Sequence, residues 1–221
     1  MYFNAMKGEF RNMLKTLGLS LTVLLSFLGT AVFAQDQAPA PSYTDGDAWQ
    51  FNAIEKEQVT SSTRSTNGDF KVIFKGTDNI RVVPVGQEKS GFKRSSGELR
   101  RMLAGSDEEK FLVFPLTVSK KWSSDFQDDL RGGATVNTHA EMVVSGYEEV
   151  TTDAGKFKAF KIERSETSGG GGKGRNASSK SRRVDYVYYY SPETRSIVKL
   201  HRLEGSGATR DIELIKYTPA K

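Results

Sequence analysis

Hydrophobic and polar residues alternate with a period of two along most of the chain, and no long segment keeps the three-four spacing of an amphipathic helix. The clearest alternation runs from 182 to 190. There Val184, Tyr186, Tyr188 and Tyr190 share one strand face, and Arg183, Asp185, Val187 and Tyr189 share the other. Ser191-Pro192-Glu193-Thr194 follows as a turn, because proline presets its backbone angle and has no N–H to continue a ladder. Strands are expected over 195–203 and 210–217, joined by Gly205-Ser206-Gly207, with Ile212 and Leu214 on the face opposite Ile215 and Tyr217. Upstream, 141–149 and 157–166 predict the arms of a hairpin turning at Asp153-Ala154-Gly155, where glycine permits a positive φ. Residues 49–58, 69–74 and 79–85 read as an earlier meander, with Asn67-Gly68 as the loop between its first two strands. A short helix is expected only over 123–130, and 100–104 and 109–113 carry no decisive pattern. The whole predicts an all-β, mainly antiparallel fold: a twisted sheet or half-barrel with little helix.

One segment breaks the pattern. Residues 17–33 are uncharged and largely apolar, preceded by Lys7, Arg11 and Lys15 and followed by Ala34 and polar Gln35. A basic start, an apolar middle and the small-x-small exit Val32-Phe33-Ala34 together predict a secretory signal peptide over 1–34, removed before Gln35. A membrane anchor needs about 20 apolar residues, and this run is shorter and interrupted by Gly18 and Gly29. Met13-Leu14-Lys15 would itself open a compact signal, so Met13 is the expected start of translation. The proline-containing stretch 35–45 then reads as a flexible leader, and 46–221 as the β-rich domain. Gly46-Asp47-Ala48-Trp49-Gln50-Phe51 is echoed by Ser119-Lys120-Lys121-Trp122-Ser123-Ser124, which suggests two related β-meander halves, 46–110 and 111–221.

Composition narrows the chemistry. The chain has no cysteine, which excludes a lipobox, disulfides, a thiolate nucleophile and cysteine metal sites. The signal segment holds three of the 32 Lys+Arg and one of the 27 Asp+Glu, leaving +3 on the remainder, too mild and dispersed for a nucleic-acid protein. The mature chain is thus expected to be a soluble exported protein with no membrane span.

No catalytic constellation stands out. Gly205-Ser206-Gly207 has the wrong spacing for a nucleophile elbow. The glycine-rich loop 168–180, with Lys173 followed by Gly174, does not make a phosphate loop; its basic edge reads as solvated. His139, Glu141 and His201 show no zinc spacing, and Asp125, Asp128 and Asp129 no calcium loop, so neither a metal nor another cofactor is expected. The candidate ligand-binding residues are aromatic: Trp49, Phe51, Trp122, Tyr186, Tyr188 and Tyr190. They combine apolar area with polar handles and would suit a lipid or glycan pocket, although aromatic residues in strands more often pack the core of a curved sheet.

Four stretches carry a resemblance: Gly46-Asp47-x-Trp49-x-Phe51, Phe114-Pro115-Leu116-x-Val118-x-Lys120-x-Trp122, Ala154-Gly155-x-Phe157-x-Ala159-Phe160-x-Ile162-Glu163, and Tyr188-x-Tyr190-Ser191-Pro192-Glu193-Thr194-x-x-Ile197-Val198-Lys199. Over most of 46–203 the chain resembles a group of exported Gram-negative proteins of unknown function. In that group glycine is usual where this chain has Ser119, and proline where it has Asp153. The resemblance implies a periplasmic or cell-envelope β protein, with a fold-level likeness to the half-barrels of lipoprotein carriers, and brings no catalytic residues. The expected role is non-enzymatic binding of a lipid or other hydrophobic envelope ligand. The alternatives are an assembly factor that binds another envelope protein through a strand edge, and a hydrolase of envelope glycans or lipids.

Overall fold

A computed structural model describes residues 37–59, 62–75, 79–85, 110–129, 135–169 and 181–221. The expected signal peptide, its alternative start, residues 100–104 and most of the glycine-rich loop lie outside them. The described chain is all-β: β1 (Gln37–Ala38), β2 (Ala48–Val59), β3 (Ser62–Lys75), β4 (Asn79–Pro84), β5 (Leu116–Thr117), β6 (Lys121–Asp129), β7 (Thr135–Thr152), β8 (Gly155–Gly169), β9 (Arg182–Ser191), β10 (Ser196–Glu204) and β11 (Thr209–Thr218). Among the described residues, β2–β4 and β6–β11 form one nine-stranded antiparallel sheet in the order β4-β3-β2-β11-β10-β9-β8-β7-β6, and β1 pairs with β5. It is a twisted, half-barrel sheet that does not close. Two hairpin series, β2–β4 and β6–β11, are joined where the last strand pairs with the first long one, Phe51 opposite Leu214.

Alternation decides which face is inner. Tyr188 pairs with Ile162 and Leu200, Ile162 with Val144, and Leu200 with Ile212, so one row of apolar side chains crosses five strands. All five are essentially unexposed. Burying each contributes about 1.5–3 kcal/mol, so this row and its neighbours set the register.

Three expectations need correction. Residues 123–130 do not form a helix: β6 points Ser124 and Phe126 inward and leaves Lys121, Ser123, Asp125 and Gln127 exposed, a period of two. Asn67-Gly68 is not a loop but lies within β3, opposite Ile54 and Ala53; Val59 pairs with Ser62, so the chain reverses there. Asn52 Nδ2 donates to Asn67 Oδ1 and Asp69 Oδ1, both at 2.7 Å, and these cross-strand bonds hold the asparagine in extended backbone. Tyr217 does not face away from Leu214. A bulge between Leu214 and Lys216 returns it to the inner face, opposite Trp49, on which its ring stacks at 5.8 Å.

The hairpin of β7 and β8 is longer than its alternation suggested. Ser145 is an extra residue in β7, between the Val144–Ile162 and Gly146–Lys161 pairs. Beyond it the hairpin outlasts β9 and its tip meets β11. Ala154 N donates to the Leu214 carbonyl at 3.3 Å and Asp153 N to Glu213 Oε1 at 3.0 Å. A proline at 153 could not make the second bond. Val150 and Phe157, paired across the tip, are buried there.

At one end of the inner face a clasp ties both ends of the described chain to the β9–β10 turn. Asp47, 1% exposed, accepts from the backbone N–H of Thr44 at 2.7 Å and of Ala220 at 2.9 Å, and from Arg195 Nη2 at 2.7 Å. Arg195 also donates to the Ser42 carbonyl and the Tyr217 hydroxyl, and its φ of +57° is a left-handed conformation rare for a side chain of this size. Tyr43 donates to the Arg195 carbonyl and the Trp49 indole to that of Thr194. Burial alone would raise the Asp47 carboxyl, but these donors outweigh it and hold it below its ordinary value. The expected leader is therefore fastened by Ala38, Ser42, Tyr43 and Thr44.

Candidate functional site

The inner face carries the side chains worth weighing as a site. β9 supplies the tyrosine stripe, and its alternation puts Tyr186, Tyr188 and Tyr190 on that face, 5%, 0% and 1% exposed. The two-stranded sheet β1–β5 packs into the same core, with Ala38 and Leu116 wholly buried. The cover is the irregular segment 110–115 with short β5. Phe111 stacks on Tyr188 with ring centres 4.5 Å apart and meets Tyr186 edge-on at 6.1 Å, while Phe114 meets Tyr190 edge-on at 5.2 Å. The Tyr188 hydroxyl donates to the Phe111 carbonyl at 2.8 Å. Burial pushes the Tyr188 and Tyr190 phenols up, so both stay neutral donors at physiological pH.

The same segment is tied at its flanks. Trp122 Nε1 donates to the Lys110 carbonyl at 2.6 Å, and Lys120 Nζ donates to the carbonyls of Val113 and Pro115, both at 2.7 Å. Partial burial lowers the Lys120 ammonium below its ordinary value. Both tryptophans of the sequence echo thus use the indole N–H to hold a loop carbonyl.

Beyond Tyr188 the inner face changes character. The next register row runs Met142, Arg164, Tyr186, Arg202, Arg210 and Glu55, each pairing with the next across β7, β8, β9, β10, β11 and β2. The row after it carries Glu166, Val184 and Glu204. Arg164 has a wholly buried side chain; its Nε bonds Glu166 Oε1 at 2.6 Å, and its guanidinium lies 4.7 Å from the Phe111 ring centre and 5.5 Å from that of Phe126. The Tyr186 hydroxyl donates to Glu166 Oε2 at 3.3 Å and receives Arg202 Nε at 3.3 Å. Glu204 takes Arg202 at 2.7 Å and Arg182 at 2.6 Å. One connected network, Arg164–Glu166–Tyr186–Arg202–Glu204–Arg182, thus borders the apolar surface.

Of the six aromatic residues expected to bind ligand, Trp49 and Phe51 lie in the core beside the clasp, the three tyrosines lie under Phe111 and Phe114, and half-buried Trp122 sits on β6. Sequence reading missed the ionic row. Its signal was parity: Arg164 and Glu166 continue the series Phe160, Ile162; Arg202 and Glu204 continue Leu200; and Arg210 shares the phase of Ile212.

The outer face holds exposed polar pairs. His139 Nδ1 lies 2.7 Å from Asp125 Oδ1, with Glu141 at 3.9 Å from Nε2, and His201 Nδ1 lies 2.7 Å from Asp211 Oδ1. The Asp125 hydrogen bond raises the His139 pKa. Among the described residues no serine hydroxyl bonds either histidine, and no cluster of His, Asp or Glu is placed to hold a metal ion. A shallow depression beneath Asp153 is lined by Asn52, Tyr189, Lys199, His201, Asp211 and Glu213, with Lys199 and Glu213 paired at 3.2 Å.

No family model and no curated protein sequence matches the chain. Among solved structures it is similar to a candidate lipoprotein of Parabacteroides distasonis, at 13% identity and a TM-score of 0.42 over 83% of this chain and 100% of that one. It is also similar to the hypothetical lipoprotein YmcC of Escherichia coli, at 10% identity and a TM-score of 0.42 over 78% of this chain and 86% of that one. A third likeness is to a candidate exported protein with a YmcC-like fold from Bacteroides fragilis, at 11% identity and a TM-score of 0.35 over 82% and 99%. At these scores the likenesses assign this chain neither location nor activity.

Proposed function

We propose that this chain is an exported, periplasmic β protein that binds a lipid or another hydrophobic envelope ligand, without catalysis, on the tyrosine stripe of β9. The export signal read from the sequence supports the compartment. The observation that carries the binding reading is the nature of the cover: beside the small β1–β5 ribbon, two phenylalanine rings on an irregular segment cap the tyrosine stripe.

Magnitudes favour exchange. Seating Phe111 or Phe114 contributes about 2 kcal/mol each, whereas an acyl chain gains about 0.8 kcal/mol for each methylene it buries. A chain of twelve methylenes therefore offers about 10 kcal/mol of transfer free energy, to be set against both rings, the hydrogen bonds that tie the segment and the cost of immobilising the ligand. Tyrosine suits such a surface, because its ring accepts either a phenylalanine or an acyl chain, and the Tyr188 hydroxyl, which here donates to the Phe111 carbonyl, is released to a polar group of the ligand when that segment lifts.

The test is mass spectrometry of lipids that co-purify with protein taken from the periplasm. A stoichiometric acyl lipid is expected. Protein free of lipid, which also takes none up from mixed phospholipid micelles, would contradict the reading.

A further inference from the structure

The segment over the tyrosine stripe is held from one side. Among the described residues its hydrogen bonds all run from side chains outside it to its own carbonyls. The Tyr188 hydroxyl donates to Phe111, Trp122 Nε1 to Lys110, and Lys120 Nζ to Val113 and Pro115. An indole N–H and an ammonium can only donate. Whatever displaces the segment must therefore bring acceptors of its own or forfeit these bonds.

Lys120 decides which kind of acceptor fits. Arg164 and Arg195 each have a carboxylate, Glu166 and Asp47. Half-buried Lys120 has two backbone carbonyls and, among the described residues, no carboxylate. Its place is set by the sheet. Val144 N donates to the Lys120 carbonyl at 2.9 Å and Ser119 N to the Val144 carbonyl at 2.8 Å, which puts Lys120 at the edge of the row Val144, Ile162, Tyr188. Its two acceptors flank Phe114, the ring that meets Tyr190. A carboxylate or phosphate would offer this ammonium a full opposite charge, which a carbonyl does not, and most effectively where water is partly excluded.

We infer that residues 110–115 stand in for the ligand, and that the ligand is an acyl lipid with a carboxylate or phosphate head. Its chain replaces Phe111 and Phe114 on Tyr188 and Tyr190, and its head replaces the Val113 and Pro115 carbonyls on Lys120. This rests on the hydrophobic-ligand reading above and adds the head group and the residue that receives it. Lys120 then has two tasks: it latches the segment over the empty site and holds the head of a bound ligand. Loss of the latch helps every ligand, whereas loss of the head contact weakens only an anion.

The experiment is calorimetric titration of the full mature chain with dodecanoate, dodecyl phosphate and dodecyltrimethylammonium, each below its micellar concentration. Their chains are of nearly equal length, and only the heads differ in charge. Both anions are expected to bind at least tenfold more tightly than the cation, and the tighter of them names the head. Lys120→Met, which keeps an apolar stem, should weaken the anions about tenfold and tighten the cation, and Lys120→Arg should keep the order of the unaltered protein. The comparison on unaltered protein needs no variant, so a folding defect in either leaves it to decide. Tightening of anions and cation alike by Lys120→Met would overturn the head assignment and leave Lys120 a latch alone. Equal binding of all three, with Lys120→Met silent, would overturn the assignment and leave the hydrophobic site standing. Failure of all three to bind the unaltered protein would overturn the site itself, and the assignment with it.

Discussion

Two ionic clusters lie on the inner face of one sheet, and they are built differently. At the β9–β10 turn, Asp47 is buried with a single arginine, and backbone donors from both ends of the described chain complete its shell. Toward the far end of β8, Arg164 is also buried against one carboxylate, but it belongs to a network of side chains joined through the Tyr186 hydroxyl, and an aromatic ring forms part of its cover. The first cluster is closed by the chain itself and includes a residue in left-handed backbone. The second is continuous with the surface under Phe111. What separates the two is the source of the shell: backbone donors close the first, and side chains with an aromatic ring close the second.

The largest effect should come from opening the clasp. Asp47→Ala leaves Arg195 and two backbone N–H groups without their anion and is expected to lower the unfolding free energy by about 3–5 kcal/mol, read from the urea midpoint. A loss below about 1 kcal/mol would mean that the clasp does not hold the fold.

Acid titration probes the same group. The folded Asp47 carboxyl is held below its ordinary value of 3.8. Its contribution is thus fully present above that value and is lost as pH falls through the lowered one. The unaltered protein should lose stability more steeply below about pH 4 than Asp47→Asn, which has no proton to take up. Parallel curves would assign the acid sensitivity elsewhere.

The arginine row should behave otherwise. Replacing both members of the buried pair, Arg164→Met with Glu166→Gln, is expected to leave stability within about 1 kcal/mol of the unaltered protein or raise it, since removing a whole buried ion pair is often neutral. A loss as large as that of Asp47→Ala would erase the distinction between the clusters.

The smallest change is Tyr186→Phe, which removes the hydroxyl linking Glu166 to Arg202. A loss of about 1 kcal/mol is expected. In a double-mutant cycle with Arg202→Gln the two changes should be non-additive, as members of one network are. Additive changes would show two separate ion pairs.

The strands were legible where one face is apolar and the other polar. The alternation of β9, the turn at 191–194 and the glycine at 155, with φ of +134°, appear where the pattern put them. Errors arose where composition stood in for periodicity. Asn67-Gly68 looked like a loop and lies in extended strand, and the acidic run of β6 looked helical although Ser124 and Phe126 keep a period of two. The Leu214 bulge shifts Tyr217 between faces with no local warning. The pairing of β2 with β11, and hence the clasp, joins segments far apart in sequence and could not be read from either. The arginine row was hidden for another reason: arginine is seldom buried, and only parity with Ile162, Leu200 and Ile212 places it inside. Ser119, where the group that the sequence resembles usually has glycine, has a φ of +71°, a backbone requirement that glycine meets without cost.

The central claim is that residues 110–115 and an acyl ligand compete for the tyrosine stripe. Hydrogen exchange of the mature protein, with and without saturating 11-(dansylamino)undecanoic acid, tests it most directly. The account predicts faster exchange in the peptide spanning Phe111 and Phe114 when ligand is bound, with β8 and β9 as protected as before. Unchanged or slower exchange of that peptide under saturating ligand would contradict it.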